Sequence, residues 1–223
     1  MELNDYRQYI DVEKCTLKDG GVTHEQEQIK LFLTALKTLD SVSPVMFELG
    51  SFEAFYCMLF NGYFKNVDGK MSVCVDAVPE RLSTGIENAK NSGFKNIFFE
   101  EGRIGTLNTG MYSYGTQFDD LELSTNTLTV TELCKKYNVK KIDILHSDIQ
   151  GAEVSVLQEV AEHQIAVEWF FINIHNDSVT RDFYGVEVYN KCKSILSNIG
   201  VEYYFDNPYQ GGYGDGLIVA KKI

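Results

Sequence analysis

The sequence predicts an α/β fold built on a mostly parallel sheet with helices on both faces. Three observations carry that prediction. Short apolar runs alternate with helix-patterned segments about five times. Most of these runs end on an acid or a polar pair: Glu48, Asp76, Asp148 and His175–Asn176. Two further strand-like runs, "VEYYFDN" and "GDGLIVAKK", close the chain after the last helical segment.

Each element has its own local signal. Residues 1–22 read as a lead-in, and 23–223 as the folded domain. Thr23 and Gln26 suit a capping box ahead of a helix carrying Ile29, Phe32, Leu33, Leu36 and Leu39 at helical spacing. "PVMFELG" reads as a buried strand, and "SFEAFYCMLFNGYF" as an apolar helix ending near Asn61–Gly62. Met71–Val75 is a strand closed by Asp76, after which Pro79 opens a helix to about Asn91, with Gly93 as its stop. "KNIFFEEGRIG" is a third strand with a glycine-containing turn. Residues 106–127 have no clear period and read as a hairpin or a lid. Thr129 and Glu132 form a second capping box before "VTELCKKYN". "KIDILHSD" and "VEWFFINIHN" are strands, "GAEVSVLQEVAEHQ" and "VEVYNKCKSILSNIG" are helices, and Gly200 stops the last of these.

Composition narrows the function classes. Hydrophobic residues are 44% of the chain and aromatics 13%, which suits a folded globule and not a disordered chain. No run approaches about 18 apolar residues, so no spanning helix is expected. The charged start "MELNDYRQYIDVEKC" lacks the apolar core of a signal peptide, and a cytoplasmic setting is expected. A net charge of −12 repels phosphate backbones and anionic headgroups, so neither nucleic acid nor membrane is the expected partner. Cys15, Cys57, Cys74, Cys134 and Cys192 are scattered, odd in number and without a CxxC pair, which argues for inert thiols.

In a parallel sheet with right-handed crossovers, every strand's C-terminal end reaches one edge, and ligands bind there. The acids at the ends of the runs therefore share a rim. In "FELGSFEAFY", Gly50 permits a close backbone approach, and Glu48 either neutralises an ammonium or organises the turn. Only one glycine is present, and Phe52 and Glu53 would crowd and repel a pyrophosphate. The loop therefore suits S-adenosylmethionine better than a dinucleotide. Asp76 is placed to accept both ribose hydroxyls or to cap a helix, and Glu101 to meet an adenine edge or to face water. Asp148 ends the strand beside the reacting methyl group, where it can hold the cofactor, orient a hydroxyl or bind a metal. Glu153 suits the first turn of the following helix. His146 reads as a core or edge histidine. His175 has three readings that spacing leaves open: general base, metal ligand with Asp148 and Asn176, or structure.

Three segments resemble a known family. "VTELCKKYNVKKIDILHSDIQGAEVSVLQ" is similar to the hallmark stretch of FkbM-type methyltransferases, "MFELGSFEAFYCMLF" to their first cofactor loop, and "VDAVPERLSTGIENAKNSG" to their second-strand acid and proline-led helix. The terminal "GDGLIVA" is similar as well, so the likeness runs over about residues 23–221. The resemblance implies the class I, Rossmann-like three-layer sandwich: a seven-stranded, mostly parallel sheet whose last strand is antiparallel. It also implies S-adenosylmethionine as cofactor and O-methylation of a sugar, a glycan or a small hydroxylated acceptor. Two departures stand out: Gln150 replaces a family Glu, and Ser51–Phe52 replace small residues.

Residues and resemblance together nominate Glu48, Gly50, Ser51, Asp76, Ala77, Glu101, Gly102 and Asp148 for the cofactor, and Asp148 with His175 for catalysis. No metal ligand is assigned, and a divalent ion is the less favoured assistant. A homo-oligomer is compatible with the sequence. Tyr112, Tyr114, Tyr203, Tyr204, Tyr209 and Tyr213 suit either packing or stacking on sugar faces. Two other readings are kept beside the enzyme. One is a catalytically silent binding or scaffold protein on the same fold; the other is a nicotinamide oxidoreductase, which the missing glycines disfavour.

Overall fold

A central seven-stranded sheet organises the protein, seen here in a computed structural model that describes residues 10–11, 16–17, 26–105, 126–149, 151–174, 185–210 and 215–223. Thr23, Cys15, Gln150, His175, Asn176, Tyr112, Tyr114, Tyr213 and the 106–125 part of the irregular stretch lie outside the described residues. In chain order the elements are β1 (Ile10–Asp11), β2 (Thr16–Leu17), α1 (Gln26–Thr38), β3 (Val45–Leu49), α2 (Phe55–Tyr63), β4 (Met71–Asp76), α3 (Pro79–Asn91) and β5 (Ile97–Glu101). They continue with β6 (Arg103–Ile104), β7 (Thr127–Leu128), α4 (Val130–Lys136), β8 (Lys141–Ser147), α5 (Glu153–Glu162), β9 (Ala166–Ile174), α6 (Gly185–Ile199), β10 (Val201–Gln210) and β11 (Asp215–Lys222). No described helix is long and apolar enough to cross a membrane.

The sheet order is β10-β11-β9-β8-β3-β4-β5. β3, β4, β5, β8 and β9 pair in parallel, while β11 runs antiparallel to both β9 and β10. The last strand is therefore inserted, antiparallel, beside the parallel block. After β3 the chain moves outward through β4 and β5, then returns to lay β8 on the other side of β3. The strand order reverses between β3 and β8, and loops leaving those two strands diverge to open a crevice.

Strand alternation sends neighbouring residues to opposite layers. Phe47, Leu49, Val73, Val75, Leu145, Phe170 and Ile172 pack with α4, α5 and α6 through Leu133, Val156, Leu157, Val188 and Leu196. Met46, Cys74, Ile144, Trp169, Phe171 and Leu217 pack on the other side, with Phe32, Leu36, Met58, Phe60 and Ala89 of α1, α2 and α3. Both faces are covered, which is why β3, β4 and β8 read as continuous apolar runs.

The helix signals hold closely. The buried face of α1 carries Ile29, Phe32, Leu33 and Leu36. α2 ends at Tyr63, next to the expected Asn61–Gly62 stop, and Asn61 and Gly62 are both buried. Pro79 stands at the start of α3, and Gly93 follows its end with φ 73°. The Thr129/Glu132 capping box is formed, and Glu159 of α5 also accepts from Val130 N (3.0 Å) and Thr131 N (2.7 Å). Cys57, Cys74 and Cys192 are buried and Cys134 is half-buried, all as free thiols.

His146 is a core residue of β8. Its Nε2 lies 2.7 Å from Gln28 Nε2 of α1, and its ring stacks on Tyr56 with centroids 4.2 Å apart. Burial pushes the imidazole down from 6.5 to about 4, against the opposing charge of Asp148. The unfolded chain takes up this proton near 6.5, and the folded chain resists it down to about 4. The stability is thus fully present above pH 6.5 and is lost as the pH falls toward 4. Urea unfolding of the wild type is expected to show a loss on the order of 2 kcal/mol between about pH 7.5 and 5 from this group. His146→Gln is expected to flatten that dependence, and an unchanged slope would show that the imidazole is not held neutral.

Candidate functional site

A cleft of about 240 Å³ opens at the C-terminal ends of β3, β4, β5 and β8. Gly50 and Phe52 line it from the loop after β3, Asp76, Ala77, Val78 and Arg81 from the β4–α3 junction, Gly102, Arg103 and Ile104 from the chain beyond β5, and Asp148, Ile149 and Ala152 from the β8–α5 junction. This is the rim on which the sequence placed its row of acids.

Asp76 is the centre of the arrangement. Its side chain is buried, yet both oxygens are engaged: Oδ2 accepts the Phe52 N–H at 2.8 Å and Oδ1 the Val78 N–H at 2.8 Å. Burial raises the carboxyl above its ordinary value, whereas the two N–H groups and the Arg81 charge pull it back and Asp148 pushes it up again. Each oxygen has a second lone pair, so the carboxylate can still accept two hydroxyls side by side. The neighbouring backbone is tied to it as well, since Gly102 N–H donates to the Asp76 carbonyl at 2.9 Å.

The β3–α2 loop is stitched to β4 by the Gly50 and Ser51 N–H groups, which both donate to the Val75 carbonyl at 2.8 and 2.9 Å. Gly50 has φ 76°, and a Cβ built there would stand 1.8 Å from the Asp148 carbonyl oxygen. Asp148 N–H in turn donates to the Leu49 carbonyl at 2.8 Å. Glycine is thus required because the two loops of the crevice touch at this position. Phe52 (φ 46°) and Ala54 (φ 62°) are also left-handed, although each carries a Cβ. Such conformations cost about 1–3 kcal/mol each and persist only where surrounding structure enforces them.

Asp148 lies just past β8. Its Oδ2 accepts from Asn173 Nδ2 of β9 at 3.0 Å, which fixes the carboxylate beside the cleft. Glu48, buried, accepts the Tyr56 N–H (3.1 Å) and the Cys57 N–H (2.8 Å) and so caps α2 from the neighbouring strand. Neither it nor the buried Ser51 is among the lining residues, and Glu101 is exposed at the end of β5, opposite Asp76 in the ladder. Glu153 is fully buried at the start of α5, with Oε1 accepting the Gly151 N–H at 3.2 Å. Asp76, Ala77, Gly50, Gly102 and Asp148 come together at the cleft, while His175 and Asn176 lie outside the described residues.

Among the described residues, only Glu48, Cys57 and Cys74 have donor atoms clustered tightly enough for a metal, within 4.8 Å of one another. The Glu48 oxygens there already accept two N–H groups, and burial pushes both thiols up, Cys74 to about 11. Burial favours the protonated thiols and the Glu48 oxygens are already hydrogen-bonded, so the set does not suit a divalent ion.

Sequence reasoning set Phe52 against the ligand but missed Val75, Val78, Arg81, Arg103, Ile104, Ile149 and Ala152 as lining, and Asn173 as a partner of Asp148. Asn173 had a readable signal, because a polar residue interrupts an apolar strand one position before its end.

The family model described as the methyltransferase FkbM domain matches residues 65–190. No curated protein matches the chain. Among solved structures, the METTL16 MTase domain is similar over 91% of this chain and 68% of its own, with TM-score 0.56 and 10% identity. The precorrin-6y C5,15-methyltransferase of Geobacter metallireducens GS-15 is similar over 91% of this chain and 92% of its own, with TM-score 0.53 and 14% identity. At these identities the likeness is one of fold. With the sheet order it establishes the class I S-adenosylmethionine-dependent methyltransferase architecture.

Gly50→Ala drives a methyl group into the Asp148 carbonyl. Thermal or urea unfolding is expected to show a loss of at least about 2 kcal/mol. A variant as stable as the wild type would mean that the two loops do not touch.

Proposed function

The chain belongs to the FkbM methyltransferase family, and from that premise we propose that it is an S-adenosylmethionine-dependent O-methyltransferase acting on a hydroxyl of a sugar, a glycan or a small hydroxylated molecule. The observation that carries the reading is Asp76. Two backbone N–H groups hold its carboxylate at the cleft wall with lone pairs left for a vicinal diol. A ribose is such a diol. In this reading the ligand is a nucleoside that carries a cation and no phosphate. Of the β3–α2 loop, Phe52 lines the cleft where a pyrophosphate would need glycine, and Asp148 puts an acid on the wall beside Gly50.

S-adenosylmethionine, when bound, supplies a methyl group activated by a sulfonium. In this reading Asp76 holds the ribose, while Gly50, Ala77 and Gly102 bring backbone close to the nucleoside. Glu48 and Ser51 support the loop from beneath, and Glu101 stands at the outer edge on the adenine side. Asp148, held by Asn173, orients the acceptor hydroxyl against the reacting carbon and accepts its proton. His175, next in the chain after β9, is the second candidate for that proton. The acidic surface supports a small or neutral acceptor over a nucleic acid.

Thermal shift tests the cofactor. S-adenosylmethionine and S-adenosylhomocysteine are expected to stabilise the protein by about 2.7 kcal/mol at a hundredfold excess over Kd, and NAD not at all. Asp76→Ala is expected to abolish the shift. Stabilisation by NAD alone would overturn the reading. Asp148→Ala is expected to keep the shift yet lower turnover on a hydroxylated acceptor by roughly 100-fold or more. Full turnover in that variant would remove Asp148 from the chemistry.

A further inference from the structure

Phe52 is doubly unfavourable as it stands. Its backbone is left-handed, and the residue is 51% exposed, more than any other aromatic whose burial is described. Core packing does not explain a strained position whose ring is left half in water. Backbone strain of this kind clusters at ligand-binding sites.

The backbone that carries the ring is fixed from two directions. Its N–H is bound to Asp76 Oδ2, the carboxylate oxygen offered to the ribose. From the other side one face of α3 supports the loop: the Arg81 guanidinium lies 5.0 Å over the Phe52 ring, Gly85 leaves room for Glu53 and Ala54, and Asn88 Nδ2 donates to the Glu53 carbonyl at 3.3 Å. A side chain at Gly85 would meet Ala54 Cβ at 3.3 Å, so the helix sits close enough to prevent the loop from relaxing. The ring itself borders the cleft. A ribose on Asp76 therefore lies beside the Phe52 ring, which has exposed apolar surface to give up.

Resting on the cofactor reading above, we propose that the Phe52 ring, backed by Arg81, is the wall that covers the nucleoside and sets how tightly this protein holds its cofactor and releases the product. The Arg81 charge acts on two groups of this wall, steadying the Phe52 ring by a cation–π contact and favouring the ionised form of Asp76.

Calorimetry with S-adenosylhomocysteine, read beside unfolding of the ligand-free protein, separates binding from folding. Glycine and asparagine both tolerate the left-handed backbone and both lack the ring. Phe52→Gly and Phe52→Asn are expected to weaken binding roughly tenfold. Their ligand-free midpoints are expected to stay within about 4 °C of wild type. Phe52→Tyr keeps the aromatic face and is expected to bind within about twofold of wild type. Wild-type affinity in the glycine and asparagine variants would overturn the inference alone. So would a tyrosine variant as weak as the glycine one. A wild-type protein that binds no S-adenosylhomocysteine would overturn the cofactor reading itself, and this wall with it.

Discussion

Two backbone N–H groups, from Phe52 and Val78, end on the carboxylate of Asp76, and the cleft depends on that pair of bonds. A buried carboxylate without such donors would be protonated or excluded, because its charge has left water. With them it stays fixed at the end of β4, and the loops on either side are drawn to it. Gly102 adds a third connection through the Asp76 carbonyl. The chain after β3, the start of α3 and the chain after β5 thus converge on one residue. The atoms that organise the rim are also those offered to a ligand.

Acids from one element capping the helix of another recur across the fold. Glu48 of β3 takes the first N–H groups of α2, and Glu159 of α5 takes those of α4. Both sit where the helix macrodipole favours a negative charge. At α2, where Ala54 makes no side-chain cap, Glu48 takes the place of one, and at α4 Glu159 adds to the Thr129/Glu132 box; each bond fixes one element against another. At the crevice the same economy appears in the backbone: Asp148 N–H and Leu49 carbonyl join the loops of β3 and β8, and Gly50 makes room for it.

Much of this was legible in the sequence, because its signals are local. The period of apolar residues marks β3, β4 and β8 as buried strands, Pro79 and Gly93 bracket α3, and the Thr129/Glu132 box starts α4. The acids at strand ends were readable once a parallel sheet was assumed. Which face each acid turns to was not readable. Glu48 and Asp76 look alike in sequence, yet one points into the layer beneath α2 and the other opens on the cleft. Nor was the conformation at Phe52 and Ala54 readable, since side chains with a Cβ rarely adopt it and only the close packing of α3 enforces it. Arg81 stands within the proline-led helical segment and Arg103 beside a glycine turn, and only the crevice geometry brings them to the lining.

The central claim is that a vicinal diol on a phosphate-free nucleoside seats on Asp76 at the reversal point of the sheet. The most direct test is an experimental structure of the protein with S-adenosylhomocysteine. Both ribose hydroxyls are expected within hydrogen-bond distance of the two Asp76 oxygens, with the sulfur on the Asp148 side of the cleft. A nucleoside bound elsewhere, or seated with its ribose turned away from Asp76, would contradict it.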